Sequence, residues 1–311
     1  MKEIYIFGGG AVGMALAVHL VNSGREVRLI RTSGNALTKS TVDIVVEDLG
    51  IAHRATVHCS SITQIKKPDG FLVIATKAFA NAALCTALRR TQAKGPIVLL
   101  QNGLSVERAF LEGGFPEIYR GVLYLTAQRE SNTTVSFHPV KPSLIGVVSG
   151  TDDGLQSCVT ALNSSAFPFE GSACIEAAVW QKAIVNCAFN SLCALLDADN
   201  GIFSREAGCM ALAREVVCEC VAVAERLGIR LVEQTIMDQI ANISSGSNHI
   251  ISTLQDIRNA RSTEIAFLNL EVARLAASLE PKVPVPRTEL LGNLIALKSK
   301  LTRDLPFAQQ G

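Results

Sequence analysis

Lys182, Asn186 and Asn190 recur at i, i+4 and i+8, a spacing that sets a cation and two carboxamides along one face of a helix. Around them, Trp180 to Leu196 is mostly Ile, Val, Ala, Phe, Leu and Cys, which calls for burial on nearly every other side. An unpaired buried polar group costs on the order of 1–3 kcal/mol, so each of the three needs a partner. That partner is either the rest of the protein or a bound polar ligand, and the helix alone does not choose. With a ligand present, a lysine can donate a proton to an oxygen on which charge develops. Burial among apolar neighbours loosens its hold on that proton. Asparagines can orient carbonyl, carboxylate and hydroxyl groups without adding charge.

A second constellation opens the chain. The apolar run Ile4 to Phe7 leads directly into Gly8-Gly9-Gly10-Ala11-Val12-Gly13, then a helix from Met14 to Asn22, then a strand from Glu26 to Ile30. In such a β-α-β unit Gly8 permits the tight turn, Gly10 admits a pyrophosphate to the backbone, and Gly13 lets helix and strand pack closely. The helix N-terminus offers N–H groups and partial positive charge to the phosphates. An acid after the second strand would bind the ribose of NAD. Arg31 followed by Thr32-Ser33-Gly34-Asn35 suits a 2′-phosphate, so NADP(H) is expected over NAD(H); a solvated surface arginine is the alternative. Two further apolar runs, Gly70 to Ala75 and Pro96 to Leu100, end at Lys77 and at Gln101-Asn102-Gly103. In open α/β sheets, strand ends of this kind face the ligand crevice.

The elements that would hold these groups follow from the pattern. Ile118 to Ala127, Thr133 to His138 and Ser143 to Val148 read as strands and Asp152 to Leu162 as a helix. From Ala173 the chain reads as helical, with runs at Glu206 to Leu227, Glu233 to Asn242, Ser262 to Leu279 and Thr288 to Lys300. Glu264, near the start of one run, is either a dipole-stabilising acid or a site residue.

Composition removes several functions. The 311 residues are 48% hydrophobic and 18% charged with a net charge of +1, which gives no pull towards nucleic acid or membrane. Nine cysteines, several inside apolar helices, look like reduced buried thiols, and no spacing suggests a metal site. With no signal peptide and no membrane span, a cytoplasmic location is expected.

At this point the residues resemble the ketopantoate reductases (2-dehydropantoate 2-reductases) over essentially the whole length. The glycine turn, Lys77 and Gln101-Asn102-Gly103 are similar to that family's cofactor half. More specific are Trp180-x-Lys182-x3-Asn186-x3-Asn190 with Asn200 ten residues on, and Ser252-x-Leu254-Gln255-Asp256-Ile257-x3-Arg261-x-Thr263-Glu264-Ile265. The resemblance implies an α/β chain. Residues 1–171 would form a Rossmann-type NADP(H)-binding domain, and residues 172–311 an all-α substrate and catalytic domain. It further implies NADPH-dependent reduction of a 2-oxo acid, with Lys182 as general acid. Asn186, Asn190, Asn200 and Ser252 would hold substrate; Arg31, Lys77 and Asn102 would hold cofactor, with a backbone contact at Ala127. Glu264 would stand where substrate and nicotinamide meet. The expected partner is a small 2-oxo acid, with no nucleic acid and no membrane, and a homodimer is the assembly to test.

The sequence departs from the family's pattern at His249-Ile250-Ile251 before Ser252, at Leu125, and at the turn Pro139 to Pro142. Where this chain has His249-Ile250-Ile251-Ser252 the family usually has Asn-x-Ser-Ser; Asn242-Ile243-Ser244-Ser245 looks like that motif but lies too far from Gln255 to take its place. These departures bear on which 2-oxo acid is used. A different class, an NADP(H)-binding sensor without turnover, is disfavoured by the intact Lys182, Asn200 and Glu264.

Overall fold

The computed structural model describes residues 2–32 and 40–304, which form two compact units. The first runs up to Gln101 and resumes over Val106–Ile175. The second comprises Asn102–Ser105 and the chain from Glu176 onward.

Unit 1 begins with β1 (Glu3–Phe7), α1 (Ala11–Asn22) and β2 (Val27–Arg31). It continues with β3 (Thr41–Asp48), β4 (Ile51–Ser61), β5 (Gly70–Ile74), a 3-10 turn (Ala78–Ala80), α2 (Asn81–Arg90), β6 (Ile97–Leu99) and α3 (Arg108–Glu112). Then come β7 (Ile118–Val122), β8 (Leu125–Arg129), β9 (Thr134–Pro139), β10 (Ser143–Ser149), α4 (Asp152–Leu162) and β11 (Phe169–Gly171). All strands join one sheet in the order β11-β10-β7-β6-β5-β1-β2-β4-β3-β9-β8. From β7 to β4 every pairing is parallel, as apolar runs buried on both faces require.

This sheet is not flat. β7 stands third in the order and β8 at the far edge, yet only Leu123 and Tyr124 connect them. Eight strand spacings would span roughly 38 Å, whereas three Cα steps cover at most about 11 Å. The sheet therefore curls until its β8–β9 end comes back beside β7 and β10. The Tyr124 carbonyl accepts from Val140 N at 2.9 Å, and Ser143 Oγ accepts from Tyr124 N at 3.2 Å. Helix α1 lies inside the curl, touching β2, β3, β4, β8 and β9. Every residue from Gly13 to Leu20 is buried, and the all-round apolar sequence of this helix has that cause.

Unit 2 is helical: α5 (Ile175–Leu196), α6 (Ile202–Arg205), α7 (Ala207–Arg226), α8 (Glu233–Ser245), α9 (Ser252–Arg258), a 3-10 turn (Ile265–Phe267), α10 (Asn269–Ser278) and α11 (Pro286–Asp304). A single apolar cluster centred on α5 and α7 forms its core. Seven of the nine cysteines are buried, and Cys174 and Cys218 are exposed. No helix among the described residues is long and apolar enough to cross a membrane.

Of the elements that differ from the sequence expectation, three say most about the fold. The strand expected over Ile118 to Ala127 breaks at Leu123-Tyr124, where the chain passes from one end of the strand order to the other. The helix expected from Ser262 is a short turn followed by α10, interrupted at Leu268 (φ −117°, ψ −109°). The hairpin β3–β4 was not anticipated. Its turn, Leu49-Gly50, has both residues at positive φ, as tightly twisted two-residue hairpins require.

Candidate active site

The glycine turn is built by close backbone approach. Gly8 sits at φ +122°, donates its N–H to the Ile30 carbonyl, and passes so near β5 that a Cβ would lie 2.7 Å from Ala75 C and Thr76 N. At Gly13 a Cβ would meet the Gly8 carbonyl oxygen at 2.0 Å. Gly9 and Gly10 are the opposite case, since an added Cβ there would meet nothing within 4 Å. Gly10, in extended backbone, caps α1 without a side chain, and the first intrahelical bond is Met14 N to Gly10 O. The N–H groups of Ala11, Val12 and Gly13 belong to the helix's unsatisfied first turn, which contains no acid. Open space over Gly9 and Gly10, in front of free N–H groups and a positive helix end, fits a diphosphate.

The neighbouring strand ends carry the other expected cofactor groups. Arg31 ends β2 exposed, in register with Ser61 of β4. Ser33, Gly34 and Asn35 lie outside the described residues. Lys77 follows β5, half-buried, and begins the 3-10 turn. Behind it is a clamp that sequence reasoning missed. The Gln101 and Asn81 carboxamides pair reciprocally at 2.7 and 2.9 Å. Gln101 also donates to the Thr76 carbonyl at 2.8 Å, and Asn81 to the Val106 carbonyl at 2.8 Å. Both are buried, so the loops after β5 and β6 are tied to the start of α2. The signal available was a carboxamide opening a helix just after a strand end.

Two expected cofactor residues are placed differently from these. Ala127 is mid-strand on β8, in register with Phe137, packed on the apolar core and separated from β1 in strand order by β2, β4, β3 and β9. Asn102 belongs to unit 2. There Gly103, at φ +97°, abuts Phe267, and Leu104 N donates to the Phe267 carbonyl at 2.7 Å. The segment carrying Asn102 thus rests on the turn that follows Glu264, and Phe267 is a second residue the sequence did not single out.

The remaining site residues are all in unit 2. Lys182, Asn186 and Asn190 run about 12 Å along α5, at 1.5 Å per residue. Lys182 and Asn186 are half-buried and Asn190 is buried. Directly after α5, Asp197 adopts φ +53° and redirects the chain. Asp199 then caps the next turn, accepting from Gly201 N at 2.8 Å and from Arg205 at 2.7 Å, and these hydrogen bonds hold its carboxyl below the usual range. Between them Asn200 is buried, its N–H bonded to the His249 carbonyl at 3.0 Å. Its Oδ1 is buried without a hydrogen-bond partner among the described residues. An orphaned buried acceptor is rare in proteins and suits a position meant for a ligand's donor.

Ser252 is the exposed first residue of α9, and Gln255 fixes the preceding loop by donating to the Ile250 carbonyl at 2.7 Å. Glu264 is buried and caps the 3-10 turn before Phe267. Asn242 to Ser245 close α8, where Ser244 Oγ accepts from Ser204 N at 2.9 Å and serves packing.

Comparison with known proteins bears on both units. Residues 4–149 match a family model described as Ketopantoate reductase PanE/ApbA, and residues 174–299 match one described as Ketopantoate reductase PanE/ApbA C terminal. The chain is 27% identical over 303 residues to a 2-dehydropantoate 2-reductase of Pyrococcus abyssi, covering 96% of this chain and 98% of that protein. It superposes on a PanE/ApbA family ketopantoate reductase from Ralstonia eutropha JMP134 with a TM-score of 0.84 at 25% identity, covering 97% and 100% of the two chains. A D-mandelate dehydrogenase solved with NADH and anilino(oxo)acetate shares the fold, with a TM-score of 0.84 at 21% identity over 97% and 99% of the chains. The architecture is a Rossmann-type α/β unit joined to an all-α unit.

Proposed function

The chain belongs to the ketopantoate reductase family, and from that premise we propose that it reduces 2-dehydropantoate to pantoate with NADPH, supplying pantothenate and coenzyme A synthesis in the cytoplasm. The support comes most directly from one observation. The Lys182, Asn186 and Asn190 seam lies on a core helix of the unit that the family's C-terminal model matches.

A bound nicotinamide supplies the hydride that reaches the C2 carbonyl carbon. The chain's own groups do the rest. The glycine turn holds the diphosphate, and Arg31 takes the 2′-phosphate, with Lys77, Asn102 and Ala127 as further cofactor contacts. Lys182 hydrogen-bonds the carbonyl oxygen and gives it a proton as negative charge develops. Asn186 and Asn190 orient the substrate, Asn200 Oδ1 accepts from its hydroxyl, and Ser252 Oγ donates to its carboxylate. Glu264 stands between substrate and nicotinamide. In this division residues 1–171 serve the cofactor and 172–311 the substrate.

Mixing the protein with 2-dehydropantoate and either NADPH or NADH tests this directly. Loss of reduced-nicotinamide absorbance, faster with NADPH, is expected. No loss with 2-dehydropantoate or any branched 2-oxo acid would sink the reading.

One observation favours a second substrate. The His249 carbonyl holds the Asn200 N–H, so the departure at His249-Ile250-Ile251 touches a proposed substrate residue. A different 2-oxo acid, still reduced with NADPH, would show a higher kcat/KM than 2-dehydropantoate across a panel of such acids.

A further inference from the structure

Helix α11 is inside out. It buries Thr288, Gly292, Ile295 and Ser299 and turns Leu290, Leu294, Leu297 and Leu301 to the surface, at 59%, 37%, 56% and 64% exposure. At 3.6 residues per turn these two sets lie on opposite sides of the helix. A surface helix normally does the reverse, with its apolar stripe inward. The leucines repeat with spacings of four, three and four, the seam of a coiled coil, whose a and d positions alternate in this way. Extended one step each way, the same seam reaches Arg287 before Leu290 and Asp304 after Leu301.

That extension is what selects an occupant. A two-fold axis between Leu294 and Leu297, perpendicular to α11, would set Leu294 against the partner's Leu297 and Leu290 against the partner's Leu301. The same operation brings Arg287 to the partner's Asp304, twice, at the two ends of a seam about 26 Å long at 1.5 Å per residue. Parallel pairing would instead oppose Arg287 to itself and Asp304 to itself. The stripe is thus its own complement in shape and charge, as a closed isologous interface requires. Arg287 is also fixed in place, through its ion pairs with Glu215 and Glu219 of α7, and a guanidinium's five N–H donors leave capacity for another carboxylate. At the other end, Lys298 donates to the Ala194 carbonyl at 2.7 Å, which brings the end of α5, with exposed Leu195 and Leu196, beside the stripe.

We propose that α11 is a self-association surface, on which two copies of this chain pair antiparallel through Leu290, Leu294, Leu297 and Leu301 with Arg287–Asp304 contacts at both ends. The pairing needs neither substrate nor cofactor.

Sedimentation velocity on the full chain tests it. The wild type is expected at twice 33.2 kDa. The double substitution Leu294→Glu with Leu297→Glu puts carboxylates in the middle of the seam, and the expected result is a folded 33.2 kDa monomer that still melts cooperatively, at a temperature lowered by the lost association. Asp304→Arg tests register rather than hydrophobicity. It lies at the exposed helix end, where a cation suits the dipole, so the fold is spared. It is expected to weaken the dimer about tenfold at low salt, and less at high salt. A wild type that sediments as a monomer overturns the proposal, whether its stripe is bare or covered by another part of the chain. So does a dimer whose Kd neither substitution changes. Should the double variant fail to fold, the Asp304→Arg result decides alone.

Discussion

Lys182 is the residue on which the proposed chemistry turns. A positioned acid contributes roughly 10²–10⁴-fold to a proton transfer, so Lys182→Ala should lower kcat by that range. The substrate's KM should move less, because Asn186, Asn190, Asn200 and Ser252 would still hold it. Steady-state kinetics with saturating NADPH measures both, and a kcat within a few-fold of wild type would give the proton to another group. The lysine and its two asparagines were legible in the sequence because helical spacing is a local property. The orphaned Oδ1 of Asn200 was not. It depends on the left-handed turn at Asp197 and the Asp199 cap beside it, and above all on the His249 carbonyl, which comes from chain distant in sequence.

Among elements, α1 has the most constrained surroundings, and one titratable group records that. His19 is 3% exposed inside the curled sheet, edge-on to His53 at 5.0 Å and close to Phe137 and Phe167. Burial first, and the neighbouring His53 second, lower its pKa from 6.5 to about 4, against a smaller opposing pull from Asp48. The unfolded chain therefore takes up this proton at a higher pH than the folded one. Stability from neutral His19 is complete above pH 6.5, falls as pH drops to about 4, and loses nothing more to this group below that. The separation of about 2.5 pH units corresponds to about 3 kcal/mol at 1.36 kcal/mol per unit. Urea unfolding at pH 7 and pH 4.5 should show a smaller acid loss for His19→Leu than for the wild type; equal losses would remove His19 as a cause. The β1-α1-β2 reading came straight from periodicity and glycine positions. The enclosure of α1 did not, because it arises from strands β8 and β9, far along the chain and curled back by the sheet.

At the scale of the whole molecule, the change from sheet to helix near residue 170 was readable in the hydrophobic pattern, which turns helical from Ala173. The assignment of Asn102–Ser105 to the helical unit was not. That excursion is four residues long, and nothing local distinguishes it from the loop after any other parallel strand. Only the fit of Gly103 against Phe267, and the bond from Leu104 N to the Phe267 carbonyl, give it away.

This excursion gives the molecule an internal reporter. Leu100 N is bonded to Ile74 O inside the sheet, and Leu104 N, four positions later, to Phe267 O inside the helical unit. Each amide can exchange with solvent only when its own unit opens. If the two units melt independently, Leu104 should exchange at the rate of helical amides such as those of α10, while Leu100 keeps pace with β5 and β6. If the two units melt as one, both amides share a single rate. Deuterium uptake at this pair of neighbours therefore measures the cooperativity of the whole chain from within a single loop. An exchange rate for Leu104 that followed β5 while α10 exchanged at a different rate would contradict its assignment to the helical unit.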